Sequence, residues 1–123
     1  MSRELEAPIQ VAIVEYLRLA LPGALVFAIP NGGLRSKREA ARMVRQGVLP
    51  GVADLQILGP WEFTAFIEVK PRGRKLEPAQ ERFRDYCHQN MIPWACCRSI
   101  DDAYVALVSW GLKPRLVPQE TRR

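Results

Sequence analysis

Asp54, Glu68 and Lys70 stand in two apolar runs, over residues 54–58 and 63–70, where strand-like sequence ordinarily carries apolar or neutral residues. Side chains alternate along a strand, so Glu68 and Lys70 project from one face while Ile67 and Val69 project from the other. If the connection around Gly59-Pro60 is odd in length, residues 59–63 for example, Leu58 pairs with Thr64 and Asp54 falls opposite Glu68; an even connection puts the two acids on opposite faces. Two carboxylates so placed repel, raise each other's pKa and persist as anions chiefly around a cation. Oxygen ligands select a hard metal, and Mg²⁺ (or Mn²⁺) held by carboxylates, waters and a substrate phosphate suits phosphodiester cleavage. Lys70 is then placed to orient or deprotonate an attacking water and to offset phosphate charge. Glu6 lies near the Ile9 and Ile13 face of the first helical segment and could supply a third acid. Each residue also has a plainer reading: an edge-strand ion pair for Glu68 and Lys70, a turn for Asp54, a dipole-favoured first-turn charge for Glu6.

The elements that must hold these residues follow from the apolar pattern. Ile9, Ile13, Tyr16, Leu17 and Ala20 predict a helix over 5–21, stopped by Pro22-Gly23. Residues 24–29 read as a strand closing on Pro30-Asn31-Gly32-Gly33, and Ser36-Lys37-Arg38-Glu39 is a capping box opening a helix that ends at Gly47. The runs at 54–58 and 63–70 form an antiparallel hairpin. Pro78 opens a third helix whose expected core stripe is Ala79, Phe83, Tyr86, Cys87 and Met91; residues 92–97 give a further strand, and Ser99 caps a last helix with Ala103, Leu107 and Trp110. The expected class is α/β, a mixed central sheet flanked by helices in the order α-β-α-β-β-α-β-α.

With 123 residues, 48% of them hydrophobic, the chain can bury a core as one domain without staples. Lys plus Arg number 18 against 13 Asp plus Glu, a formal +5 that favours a polyanionic partner. Cys87, Cys96 and Cys97 are an odd set without Cys-x-x-Cys spacing, which argues against a disulfide framework and structural zinc and for a reducing compartment. The longest apolar run is broken at Pro22-Gly23 and too short for a bilayer, so no membrane association is expected. His88, the single histidine, sits beside Cys87 on the third helix, away from any nucleophile elbow, which disfavours a serine or cysteine hydrolase.

In order and spacing, Glu6-x-x-x-Gln10, Pro30-Asn31-Gly32-Gly33, Gly47-x-x-x-Gly51-Val52-x-Asp54-Leu55, Ile67-Glu68-Val69-Lys70 and Pro78-x-Gln80 resemble the VRR-NUC family of the PD-(D/E)xK nuclease superfamily. The resemblance implies a restriction-endonuclease-like sheet. It implies Asp54, Glu68 and the Val69 carbonyl as metal ligands, Lys70 as catalytic lysine, Glu6 as an additional acid near the metal, and Gln80 as a support from the next helix. Ala53 replaces the proline of the superfamily motif, and Glu77 stands where a serine or threonine is expected to cap the helix. Stand-alone members, familiar from bacteriophages, resemble Holliday-junction resolvases and act as homodimers on branched DNA.

The expected partner is therefore DNA, with Arg38, Arg42 and Arg45 on one side of the second helix and Arg35, Arg72, Arg74 and Lys75 in loops flanking the site as phosphate contacts, or else as a solvated basic surface. Trp61 at the hairpin tip reads as a packing residue or a base-stacking wedge. The domain is expected over 1–112, a flexible basic tail over 113–123, and the location is the cytoplasm, that of a host if phage-encoded. The alternative function is a non-catalytic nucleic-acid-binding module with a nuclease-like fold.

Overall fold

Apolar residues three and four positions apart make α1 (Ser2–Ala20) amphipathic, and Ile13, Tyr16, Leu17 and Ala20 are buried along it. The computed structural model describes residues 2–30 and 36–119; Arg35, the Asn31-Gly32-Gly33 stretch and the residues from Glu120 lie outside the described residues. α1 begins three residues before the expected start and runs through Pro8.

Four strands form one sheet, β1 (Leu25–Ala28), β2 (Leu55–Leu58), β3 (Thr64–Val69) and β4 (Trp94–Cys97), in spatial order β1-β2-β3-β4. β1 to β3 are antiparallel and β4 lies parallel to β3, as its helical crossover requires. The connection from β2 to β3 is the odd one: Leu58 pairs with Thr64 and Leu55 with Ile67.

The period-2 alternation divides the sheet. Leu55, Ile57, Ala65, Ile67 and Val69 join Ile13 and Leu17 of α1 and Ala103 and Leu107 of α4 (Ile100–Ser109) in one core cluster. The opposite face is covered in part by α3 (Pro78–Gln89), where Phe83 meets Phe66 edge-on with ring centroids 5.1 Å apart. Because α3 covers so little of this face, its apolar stripe is narrower than expected: Cys87 is buried, whereas Tyr86 and Met91 are exposed, Met91 lying past the helix end with φ 57°. Cys97 is also a buried free thiol and Cys96 a half-buried one.

α2 (Lys37–Arg45) is capped as expected, Ser36 Oγ accepting from the Glu39 N–H at 3.1 Å, and buries none of its residues. Ser99 caps α4 in the same way, accepting from the Asp102 N–H at 3.1 Å.

The segment after α4 is held further than a tail loose from Lys113 would be. The Arg115 N–H donates to the Ala20 carbonyl at 2.9 Å, giving the end of α1 a partner for one of its orphan acceptors. The Tyr16 hydroxyl donates to the Leu116 carbonyl at 2.8 Å, and burial pushes that phenol up to about 12. Leu112 and Leu116 pack against the core, which is the apolar anchor that a basic composition conceals. Among the described residues no helix is long and apolar enough to cross a membrane.

Candidate active site

Asp54 is the residue before the first pair of β2, so the register places it opposite Glu68. Two backbone ties hold it: its carbonyl accepts from the Ile29 N–H at 2.8 Å, and its Oδ2 accepts from the Val69 N–H at 2.8 Å. The approach to Asp54 passes through Gly51 at φ 86°, where a Cβ would stand 2.2 Å from the Ala79 carbonyl oxygen. Only glycine lets this loop touch the first turn of α3.

Glu68 and Lys70 lie on the sheet face away from the core cluster, yet both are buried, at 2% and 4% exposure. The Lys70 N–H donates to the Cys97 carbonyl at 3.1 Å, which extends the parallel pairing one residue past β3. Gln80 closes the arrangement from α3. Its Nε2 donates to Glu68 Oε2 at 2.9 Å while its Oε1 accepts from the Glu77 N–H at 2.8 Å. The second bond is half of a capping box, the Glu77 side chain accepting from the Gln80 N–H in the other half, and it fixes which end of the Gln80 amide faces Glu68.

The Glu68 carboxyl is pushed up to about 9, first by burial, then by the charge of Asp54 and a hydrogen bond to it, with Glu6 adding to the rise and Lys70 opposing it. At neutral pH the Asp54–Glu68 pair therefore retains a proton where a cation would serve the same purpose. The donor set of Asp54, Glu68 and the Val69 carbonyl is all oxygen and fits Mg²⁺ or Mn²⁺. Among the described residues no three His, Cys, Asp or Glu side chains gather into a metal cluster. Glu6 lines the same cleft, half-buried, on the first turns of α1.

The cleft encloses about 1050 Å³ between α1, the ends of β1 and β3, the Gly51 loop and the start of α3, with Glu6, Asp54, Glu68, Lys70 and Gln80 all in its wall. No protein-family model matches the sequence, and no curated protein matches it. Among solved structures, a "VRR_NUC domain protein" superposes with a TM-score of 0.65 at 19% identity, covering 85% of this chain and 86% of that one. A second, described as "VRR_NUC domain", gives a TM-score of 0.57 at 23% identity over 85% and 94% of the two chains. The chain has a VRR_NUC-like fold.

The basic residues are divided by the structure. Arg74 reaches the cleft wall, while Arg72 and Lys75 are exposed in the same loop and Arg38, Arg42 and Arg45 are exposed on α2. Gln10, which the Glu6-x-x-x-Gln10 motif contained without a role of its own, lines the cleft one turn after Glu6, as its i, i+4 spacing implies. One neighbour escaped the sequence reading. Arg98 donates from Nη1 to the carbonyls of Pro71 and Arg74, both at 2.7 Å, and so fixes the loop that follows Lys70; partners 24 and 27 residues away leave no local signal.

Proposed function

We propose that this chain is a Mg²⁺- or Mn²⁺-dependent DNA endonuclease that hydrolyses phosphodiester bonds in this cleft, selects branched DNA such as four-way junctions, and works as a homodimer. The observation that carries the reading is a pair of facing carboxyl groups, one of them buried, with a buried lysine on the same sheet face. Burying such groups opposes folding unless something binds there. The VRR_NUC-like fold supports the same reading. Two symmetric strands of a junction call for two sites related by a two-fold axis, which is the reason for the homodimer.

Asp54, Glu68 and the Val69 carbonyl would hold the metal, which when bound neutralises phosphate charge and makes a coordinated water more acidic. Lys70 orients the attacking water and offsets the charge that develops on the phosphoryl oxygens. Gln80 keeps the Glu68 carboxylate turned into the cleft. Water oxygen bonds to phosphorus, one phosphorus–oxygen bond to the sugar breaks, and the departing oxygen takes a proton. Arg74 at the cleft wall, Arg72 and Lys75 in the same loop and Arg38, Arg42 and Arg45 on α2 contact the phosphates of the substrate, as does Arg35, which lies outside the described residues.

The test is cleavage of labelled four-way junction, flap and duplex DNA with Mg²⁺, Mn²⁺ or EDTA by the wild type and by Lys70→Ala. Metal-dependent cutting, strongest on the junction and reduced at least about 100-fold in the variant, is expected. Binding of DNA with no cutting of any substrate would make the chain a binding module instead.

A further inference from the structure

At the tip of the β2–β3 hairpin, Trp61 and Glu62 both adopt φ 63°, a left-handed conformation that bulky side chains rarely take. The turn is closed by the Gly59 N–H donating to the Phe63 carbonyl at 2.9 Å, and it leaves Trp61 97% exposed. Packing, one of the two roles open to this residue from sequence, is thereby removed. Beside the indole lies a cavity of about 270 Å³ walled by Leu21, Ile57, Pro60, Phe63 and Leu112, with Lys113 and Arg115 exposed on its rim. The bond from the Arg115 N–H to Ala20 fixes that rim to α1.

Charge decides what this surface fits. Its described lining carries two cations and no acid, whereas in the active-site cleft the acids Glu6, Glu15, Asp54, Glu68 and Glu77 outnumber the cations Arg18, Lys70 and Arg74. An exposed aromatic ring beside exposed cations is the arrangement that takes up single-stranded nucleic acid, base on ring and phosphate on cation. We propose that Trp61 and the adjoining cavity form a second DNA contact, which stacks an unpaired base on the indole and holds its flanking phosphates on Lys113 and Arg115. The proposal rests on DNA being the substrate, and adds the feature by which a strand opened at a branch is told from continuous duplex. The catalytic pair and Trp61 stand at opposite ends of the β2–β3 hairpin, and a strand rise of about 3.3 Å per residue from Asp54 to Gly59 separates the ends by roughly 17 Å. That span is about five base steps of duplex.

The experiment compares a blunt duplex with the same duplex bearing a splayed single-stranded arm, in EDTA, by tryptophan fluorescence and affinity, for the wild type, Trp61→Ala, Trp61→Phe and the double variant Lys113→Ala/Arg115→Ala. Quenching by the splayed DNA alone is expected. Trp61→Ala should abolish the quench and weaken splayed-arm binding about 10-fold with duplex binding unchanged, Trp61→Phe should retain most of the affinity, and the double variant should lower the salt slope by up to about 2. Equal binding of both DNAs by the wild type and Trp61→Ala, without quenching, would overturn the proposal while leaving the nuclease reading intact. Loss of self-association in Trp61→Ala, with DNA binding unchanged, would assign the surface to a second copy and overturn it too. Failure of the wild type to bind either DNA would overturn both readings.

Discussion

The two ends of one hairpin depart from ordinary burial in opposite directions. At the Asp54 end, Glu68 and Lys70 are buried; at the Trp61 end the chain exposes an indole almost completely, on a turn with two consecutive left-handed residues. Folding alone favours neither, since charge belongs in water and large aromatic surface belongs inside. Between them the strands are ordinary, with Ile57, Ala65 and Ile67 buried in the core. The middle of the hairpin therefore supplies stability, and both ends give some of it up. Each end also has a different support: hydrogen bonds from Val69 and Gln80 at one, backbone closure of the turn at the other.

The comparison breaks hardest at Gly51. A Cβ there meets the Ala79 carbonyl carbon and oxygen at 2.4 and 2.2 Å, and φ is 86°, so Gly51→Ala must displace either the loop carrying Asp54 or the helix start carrying Gln80. A loss of about 3 kcal/mol in urea unfolding, together with loss of cleavage, is expected. Gly47→Ala is the control, because φ is 105° but nothing lies within 4 Å. It should cost only about 1 kcal/mol and leave cleavage in place, and equal effects at the two positions would show that close approach to α3 does not matter.

Per pH unit, a smaller effect comes from Glu68→Gln, measured without metal. The Glu68 carboxyl is raised from 4.5 to about 9, so the folded protein keeps a proton that the unfolded chain has already released. The stability this gives is complete below about pH 4.5 and is lost progressively as pH rises toward about 9. In EDTA, wild-type stability should fall by up to about 1 kcal/mol per pH unit across that window, and Glu68→Gln should flatten the fall and be the more stable protein at pH 8. A wild-type profile as flat as the variant's would mean that the acidic end of the hairpin is not held against its own charge.

Much of this contrast was legible in the sequence at the acidic end and little at the other. Period-2 alternation and loop parity alone reduced the placement of Asp54 and Glu68 to two registers, because an acid in a strand has to face one side or the other. The burial of Lys70 and the bond from Gln80 depend on α3 lying over the end of β3, which no local pattern encodes. The same fact explains the misread stripe of α3: Tyr86 and Met91 fall near helical spacing with Phe83 and Cys87, but no second layer covers them. Arg98 was invisible because its guanidinium binds carbonyls far along the chain. Leu116 was hidden by its basic neighbours, although a leucine after a helix end is the residue most able to dock a tail. For Trp61 the ordinary expectation of packing pointed the wrong way, and only the turn geometry reverses it.

The smallest predicted effect tests that reversal through stability alone. A left-handed L-residue costs about 1–2 kcal/mol relative to glycine, while glycine gives back roughly 0.5–1 kcal/mol through the greater freedom of its unfolded chain. With the Trp61 side chain in solvent, Trp61→Gly loses no buried surface to offset this difference. Its stability in urea should therefore equal or exceed the wild type's by about 0.5 kcal/mol. A loss greater than about 1 kcal/mol would mean that the indole is packed against the cavity beside it in solution. The hairpin's two ends would then differ in chemistry only, one burying charge for a ligand and the other burying an aromatic ring for the fold.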